Sequence, residues 1–185
     1  MVPVATLWAP ILLSAVLVFV ISSVIHMLLG YHASDFGRVS RESEVLDALR
    51  DFNLPPGDYL LPRPGSSADA RSPEFAAAVA KGPVVMMTVM PGGGMSMGRN
   101  LALWFVYTVI VGLFAGYVAG LALGSGADYR PVFRITSTVA FVGYALALWQ
   151  DVIWYGHSAT TAGKSTFDSL VYALTTGGVF GWLWP

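Results

Sequence analysis

The chain contains no cysteine. Disulfides, iron–sulfur clusters and thiolate zinc sites are therefore excluded. Charge is scarce as well, at 11% of residues, where soluble domains carry about 25%. The formal net charge is only -1. No basic face is available for nucleic acid, so nucleic acid is excluded as a partner. The first charged side chain is Asp35. From there the charges segregate: Arg38 to Arg99 holds seven of the ten basic residues, and Asp35 to Glu74 holds eight of the eleven acidic ones.

What remains is apolar, 55% of the 185 residues. A membrane-spanning helix needs roughly 20 apolar residues in a row. Four stretches qualify: Leu7–Leu29, Leu101–Leu123, Val132–Tyr155 and Phe167–Trp184. The first lacks the basic n-region of a signal peptide and is too long for one, so it reads as a retained helix. Pro10 falls in its first turn, where a missing N–H costs little. Ser165-Thr-Phe-Asp168 matches a capping box at the start of the fourth. The six tryptophans, Trp8, Trp104, Trp149, Trp154, Trp182 and Trp184, fall near expected span ends, as an aromatic belt requires. The expected architecture is an all-α membrane protein with four transmembrane helices. A small α/β extramembrane insert lies between helices 1 and 2. The boundaries are 1–30, 31–100 and 101–185.

Within the insert, Val45, Leu46, Leu49 and Phe52 share one side of a short helix, with Ser40 as its expected N-cap. Pro55-Pro56-Gly57 breaks it. Asp58–Leu61 reads as a strand, Ser72-Pro73-Glu74 opens a second helix that Gly82 ends, and Val84–Met90 reads as a second strand. Arg38, Arg41, Arg99 and Lys164 flank one membrane face, Arg130 and Arg134 the other. The positive bias places the insert in the cytoplasm and both termini in the periplasm.

The most distinctive pattern is Gly112, Gly116, Gly120 and Gly124, a glycine zipper inside an apolar run. Glycine at every fourth residue makes one flat helix face, and in a bilayer such faces let backbones approach closely. The face serves either a neighbouring chain or the protein's own helices, with Gly143-xxx-Ala147 and Gly177, Gly178 and Gly181 as internal candidates.

Residues with chemistry are few. His26 lies near the end of the first span, with His32 six residues on, and reads as a ligand or as an interfacial hydrogen-bonding group. Asp151 and His157 end the third span and Asp168 opens the fourth. Together they could bind a metal or relay a proton, but their spacing matches no metal motif, and capping and interfacial bonding explain them more simply. Arg134 is expected to snorkel to the interface. Gly92-Gly-Gly94 with Met95 to Gly98 lacks the lysine of a P-loop. The methionines from Met86 to Met97, with Met27, could attract a soft metal, but Met86, Met87 and Met90 sit in an apolar strand and are expected to pack its core. No cofactor, metal or catalytic residue is assigned.

Gly98-Arg-Asn100, Tyr144-Ala-Leu-Ala-Leu-Trp-Gln150, Ile153-Trp-Tyr155, Thr166-Phe-Asp168 and the terminal Gly178-Val-Phe-Gly-Trp-Leu-Trp-Pro185 resemble a group of small uncharacterised bacterial inner-membrane proteins. The likeness spans most of the chain. It implies a bacterial source and four helices and brings no activity with it. The leading expectation is a non-catalytic accessory subunit of a larger energy-transducing complex, respiratory or photosynthetic. Its partners would be other membrane subunits and lipids, in a hetero-oligomer. A small transporter or channel is a second class, and a membrane enzyme centred on Asp151, His157 and Asp168 a third.

Overall fold

A computed structural model of the chain describes residues 1–92, 94 and 96–185. In chain order the elements are α1 (Trp8–Leu28), α2 (Glu42–Asp51), β1 (Gly57–Leu61), α3 (Pro73–Lys81), β2 (Val85–Val89), α4 (Met97–Ala122), α5 (Tyr129–Phe141), α6 (Leu148–Tyr155) and α7 (Ala159–Trp182). Two compact units separate: 1–37 with 97–185, and 38–96. The first is wholly helical and the second holds the only sheet among the described residues.

Among the described residues, three segments of the helical unit are long and apolar enough to cross a membrane: Val4–Leu28, Met97–Ala122 and Tyr129–Tyr155. The third is interrupted by a π-helical segment at Val142–Leu146 rather than running on as one α-helix. A π turn leaves carbonyls off the regular ladder. Here Tyr107 Oη donates to Gly143 O at 2.5 Å, and Ser169 Oγ donates to Tyr144 O at 3.1 Å.

The expected start of the last helix is corrected. α7 begins at Ala159, and its N-cap is Ser158, which accepts from Thr161 N at 3.3 Å. Gly156, with φ +67°, stops α6, so the turn expected at 156–164 shrinks to three residues, Gly156 to Ser158. Ser165 and Asp168 therefore lie inside the helix and form no capping box. The helix tolerates Lys164 and Asp168 because both find partners elsewhere. At its far end Pro185 O accepts from Gly126 N at 2.6 Å, and Trp184 Nε1 donates to Gly124 O at 3.0 Å. α7 thus runs from the exit of α1 to the turn between α4 and α5.

Small residues bring these helices together. A side chain begun at Gly112 would stand 3.5 Å from Ile11 O, and one at Gly116 would stand 3.0 Å from Phe180 Cε1. Gly120 faces the carbonyl of Val2, whose N–H donates to Gly120 O at 2.9 Å. Gly124 meets nothing. Three of the four zipper glycines are thus covered by the chain itself, by the start of α1 and by Phe180. Gly143 packs on Val111 at 3.3 Å, and Gly177 lies against Phe133 O at 2.9 Å. Trp104 stands near the start of α4. It is turned inward, donating to Ser22 Oγ at 2.8 Å and packing beside Tyr144 and Tyr172.

In the other unit β1 and β2 pair antiparallel, from Gly57 opposite Val89 to Leu61 opposite Val85. Ser72 caps α3, accepting from Phe75 N at 3.0 Å, with Pro73 in the first helical position. Ser40 does not cap α2. Arg41 precedes the helix in a left-handed conformation with no side-chain cap. None of the described residues of 38–96 is buried. Met86 and Met90, expected in a strand core, are exposed. Of the candidate phosphate-cradling stretch, Gly93 and Met95 lie outside the described residues.

Candidate functional site

Where α1 ends, Gly30 takes φ +65° and the chain enters a single 3-10 turn, Tyr31–Ser34. A left-handed glycine is the usual stop for a helix, because it carries no Cβ to clash. That turn faces one stretch of α7, where Lys164 and Asp168 stand one helical turn apart on the same side. His32 bridges two carboxylates: Nδ1 lies 2.6 Å from Asp35 Oδ2, and Nε2 lies 2.8 Å from Asp168 Oδ2. Tyr31 Oη donates to Asp168 Oδ1. Lys164 Nζ donates to Asp35 Oδ1 at 2.8 Å, to Tyr31 O at 2.7 Å and to Ser34 Oγ at 2.9 Å.

The groups are shielded from water. Asp168 retains 3% of its side-chain exposure, Asp35 9% and His32 13%. Burial and the Asp168 carboxylate push the Tyr31 phenol up to about 12. For His32 burial opposes the charged form, but the bonds to Asp35 and Asp168 outweigh it and hold the imidazole above its ordinary value. The hydrogen bonds from Lys164 and then His32 hold Asp35 below the usual carboxylate range. Two carboxylates are thus set against one ammonium and one imidazole, and each of the four carboxylate oxygens has a hydrogen-bond partner. Buried polar groups are tolerated in that condition and costly otherwise.

His26 completes the cluster from the last full turn of α1. Its Nδ1 lies 3.0 Å from Ser22 O, and its ring stacks on that of His32 with centroids 4.4 Å apart and planes 6° from parallel. One ligand atom from each of His26, His32 and Asp168 falls within 4.8 Å of the other two.

Asp151 and His157 are elsewhere. They line an open cleft of about 310 Å³ with Leu148, Ser158 and Thr161. Asp168 does not line it, so the expected grouping of Asp151, His157 and Asp168 is not assembled. Asp35 is the residue that belongs both to the cleft and to the cluster. His157 bonds to Asp151 through its backbone N, at 3.3 Å from the carbonyl.

Tyr31, Asp35 and Lys164 carried no site role in the sequence reading. The available signal was Lys164 and Asp168 spaced four apart on the side of α7 that continues through buried Tyr172 and Thr176. Ionisable side chains on the inward face of a helix are paired and mark candidate sites. Comparison of the chain with protein-family models, with curated proteins and with solved structures finds no match.

Proposed function

We propose that the chain is a non-catalytic accessory subunit of a larger bacterial membrane complex, and that residues 38–96 dock on a partner protein. One observation carries this reading: a folded unit of two helices and a sheet has no buried residue among those described. Val45, Leu46, Leu49 and Phe52 of the α2 region stay exposed, as do Met86 and Met90. A unit of this size without a core gains its burial from a neighbour. Its charges favour a protein neighbour over lipid. Six basic residues are offset by seven acidic ones, whereas surfaces that bind anionic lipid are strongly basic.

Two further features support the reading. α7 traverses the bundle end to end beside the three apolar segments, which suits a four-span anchor with both termini on one side. The buried hydroxyls Ser14, Thr108, Thr136 and Thr176 each donate to a carbonyl of their own helix, three or four residues back. Hydroxyls spent within their own helices disfavour a channel. The positive bias gives a cytoplasmic insert and periplasmic termini in the bacterial inner membrane.

A photo-crosslinking residue at Leu46, in the full chain in its native membrane, tests the docking. The expected result is a discrete protein adduct, with the chain migrating as part of a larger assembly on blue-native electrophoresis. Lipid adducts alone, with migration as a lone chain, would overturn it. Reporters after Pro185 and between Ser66 and Ser67 test the topology, which requires periplasmic and cytoplasmic signals respectively.

A further inference from the structure

We propose that His26, His32 and Asp168 form a binding site for a divalent first-row transition metal ion at the end of the helical bundle, a role independent of docking by residues 38–96.

A ligating histidine ordinarily gives its second ring N–H to a carbonyl or carboxylate, which fixes the tautomer and aims the other nitrogen at the metal. Both histidines have that arrangement here. His26 Nδ1 lies 3.0 Å from Ser22 O, and His32 Nδ1 lies 2.6 Å from Asp35 Oδ2. Each therefore presents Nε2. The carboxylate is oriented in the same way: Tyr31 Oη holds Asp168 Oδ1, leaving Oδ2 for a cation. Lys164 in turn holds Asp35. The shell that orients ligands is already built, from two elements far apart in sequence.

The spacing suits an ion. His32 Nε2 and Asp168 Oδ2 are 2.8 Å apart, and His26, His32 and Asp168 each bring one ligand atom within 4.8 Å of the other two. Two ligands each about 2.1 Å from a tetrahedral ion stand roughly 3.4 Å apart, so the pair opens by well under an ångström. The ion takes the place of the proton shared by His32 Nε2 and Asp168 Oδ2, and that proton leaves to water. His26 must adjust more. Two parallel imidazoles share no point lying in both ring planes, so one ring tilts out of the stack. His26 is the exposed member, and the side-chain contact it gives up is the stack on His32 rather than a hydrogen bond.

The donor set points to the class of metal. Two imidazoles and one carboxylate suit zinc and its neighbours, whereas calcium and magnesium take oxygen ligands. Three protein ligands leave a position open, and exposed His26 places that position towards solvent.

The test uses the full chain in nanodiscs, stripped with chelator, loaded with Co²⁺ as a spectroscopic stand-in for zinc and dialysed. The expected result is one ion per chain with visible d–d absorption. Both are lost in His26→Gln and in Asp168→Asn and retained in His157→Gln. His26→Gln is the decisive variant, because its side chain bonds only to its own helix and its loss leaves the fold intact. Asp35→Asn, which removes only an orienting carboxylate, should weaken binding by roughly 10–100-fold. Absence of bound metal in the wild-type chain overturns the proposal. So does equal metal content in His26→Gln and His157→Gln.

Discussion

The helical unit and the 38–96 unit solve opposite problems. In the helical unit Leu7, Val18, Val132 and Phe180 are fully buried, yet Leu12, Val16, Ile110, Phe114 and Leu121 face outward. An outward leucine costs nothing where the surroundings are lipid, and association there depends on close packing and on satisfied polar groups. Glycine, alanine, serine and threonine accordingly fill much of the space between these large side chains, with one hydrogen-bonded polar cluster at an end. The 38–96 unit has more polar residues and an amphipathic helix, and none of its described residues is fully buried. Its outward Val45 and Leu49 have only water or a partner to meet. The same exposure suits lipid-facing segments in one unit and is what the docking proposal rests on in the other.

The comparison breaks first if the end cluster is not an interior feature. His32→Leu leaves Asp168 as a buried carboxylate with Tyr31 as its remaining donor. Removing one partner of a buried pair costs about 3–5 kcal/mol. Chemical unfolding in detergent micelles should show that loss. The exposed pair Arg50–Asp47 of α2 is the contrast, with both side chains more than two-thirds exposed. Arg50→Leu should change stability by no more than about 0.5 kcal/mol. Similar losses in the two variants would erase the distinction.

Glycine gives the next contrast. Ala at Gly177 would place a methyl 2.8 Å from Ser137 Cβ and 2.9 Å from Phe133 O, where the neighbour is partly backbone and cannot give way cheaply. Overpacking of this kind costs about 1–3 kcal/mol. At Gly98, in the first turn of α4, the same methyl meets nothing. Gly98→Ala should stabilise by about 0.5–1 kcal/mol, because alanine loses less conformational freedom in a helix. Thermal unfolding of the two variants side by side reads both signs. Destabilisation at both positions would show that helix packing extends further along α4 than the glycine contacts imply.

Much of this was legible in the sequence, and the failures share a cause. Apolar length located α1, α4 and the third segment, because a span must satisfy its backbone within itself. Pro73 and Gly82 marked α3 through local backbone chemistry. Glycine spacing announced a close approach but not its partner, which is Phe180 and the start of α1. Asp168 was read as a cap because Ser165-Thr-Phe-Asp168 fits that pattern locally. Its actual partners, Tyr31 and His32, are 137 and 136 residues away, and no local rule reaches that far. The inward turn of Trp104 was hidden for the same reason. Its indole N–H is claimed by Ser22 of another helix.

The smallest expected effect is the most discriminating. Val45, Leu46 and Leu49 are 42%, 43% and 36% exposed on one side of α2. Replacing all three with glutamine keeps a good helix former at each position and removes the apolar face. If the face is unfilled in the isolated chain, the purified variant loses no burial. Each substitution should then stay within about 0.5 kcal/mol on unfolding in nanodiscs. The effect should instead appear in the membrane, as loss of the crosslinked adduct from a position such as Phe52 and a shift to faster migration on a native gel. A loss of several kcal/mol in the purified chain would mean that α2 already packs on something within its own chain. The lesson drawn from the two units would then reverse, because 38–96 would have a core after all. An unchanged unfolding curve with a vanished adduct leaves only one place for the three side chains to act, which is against a neighbour.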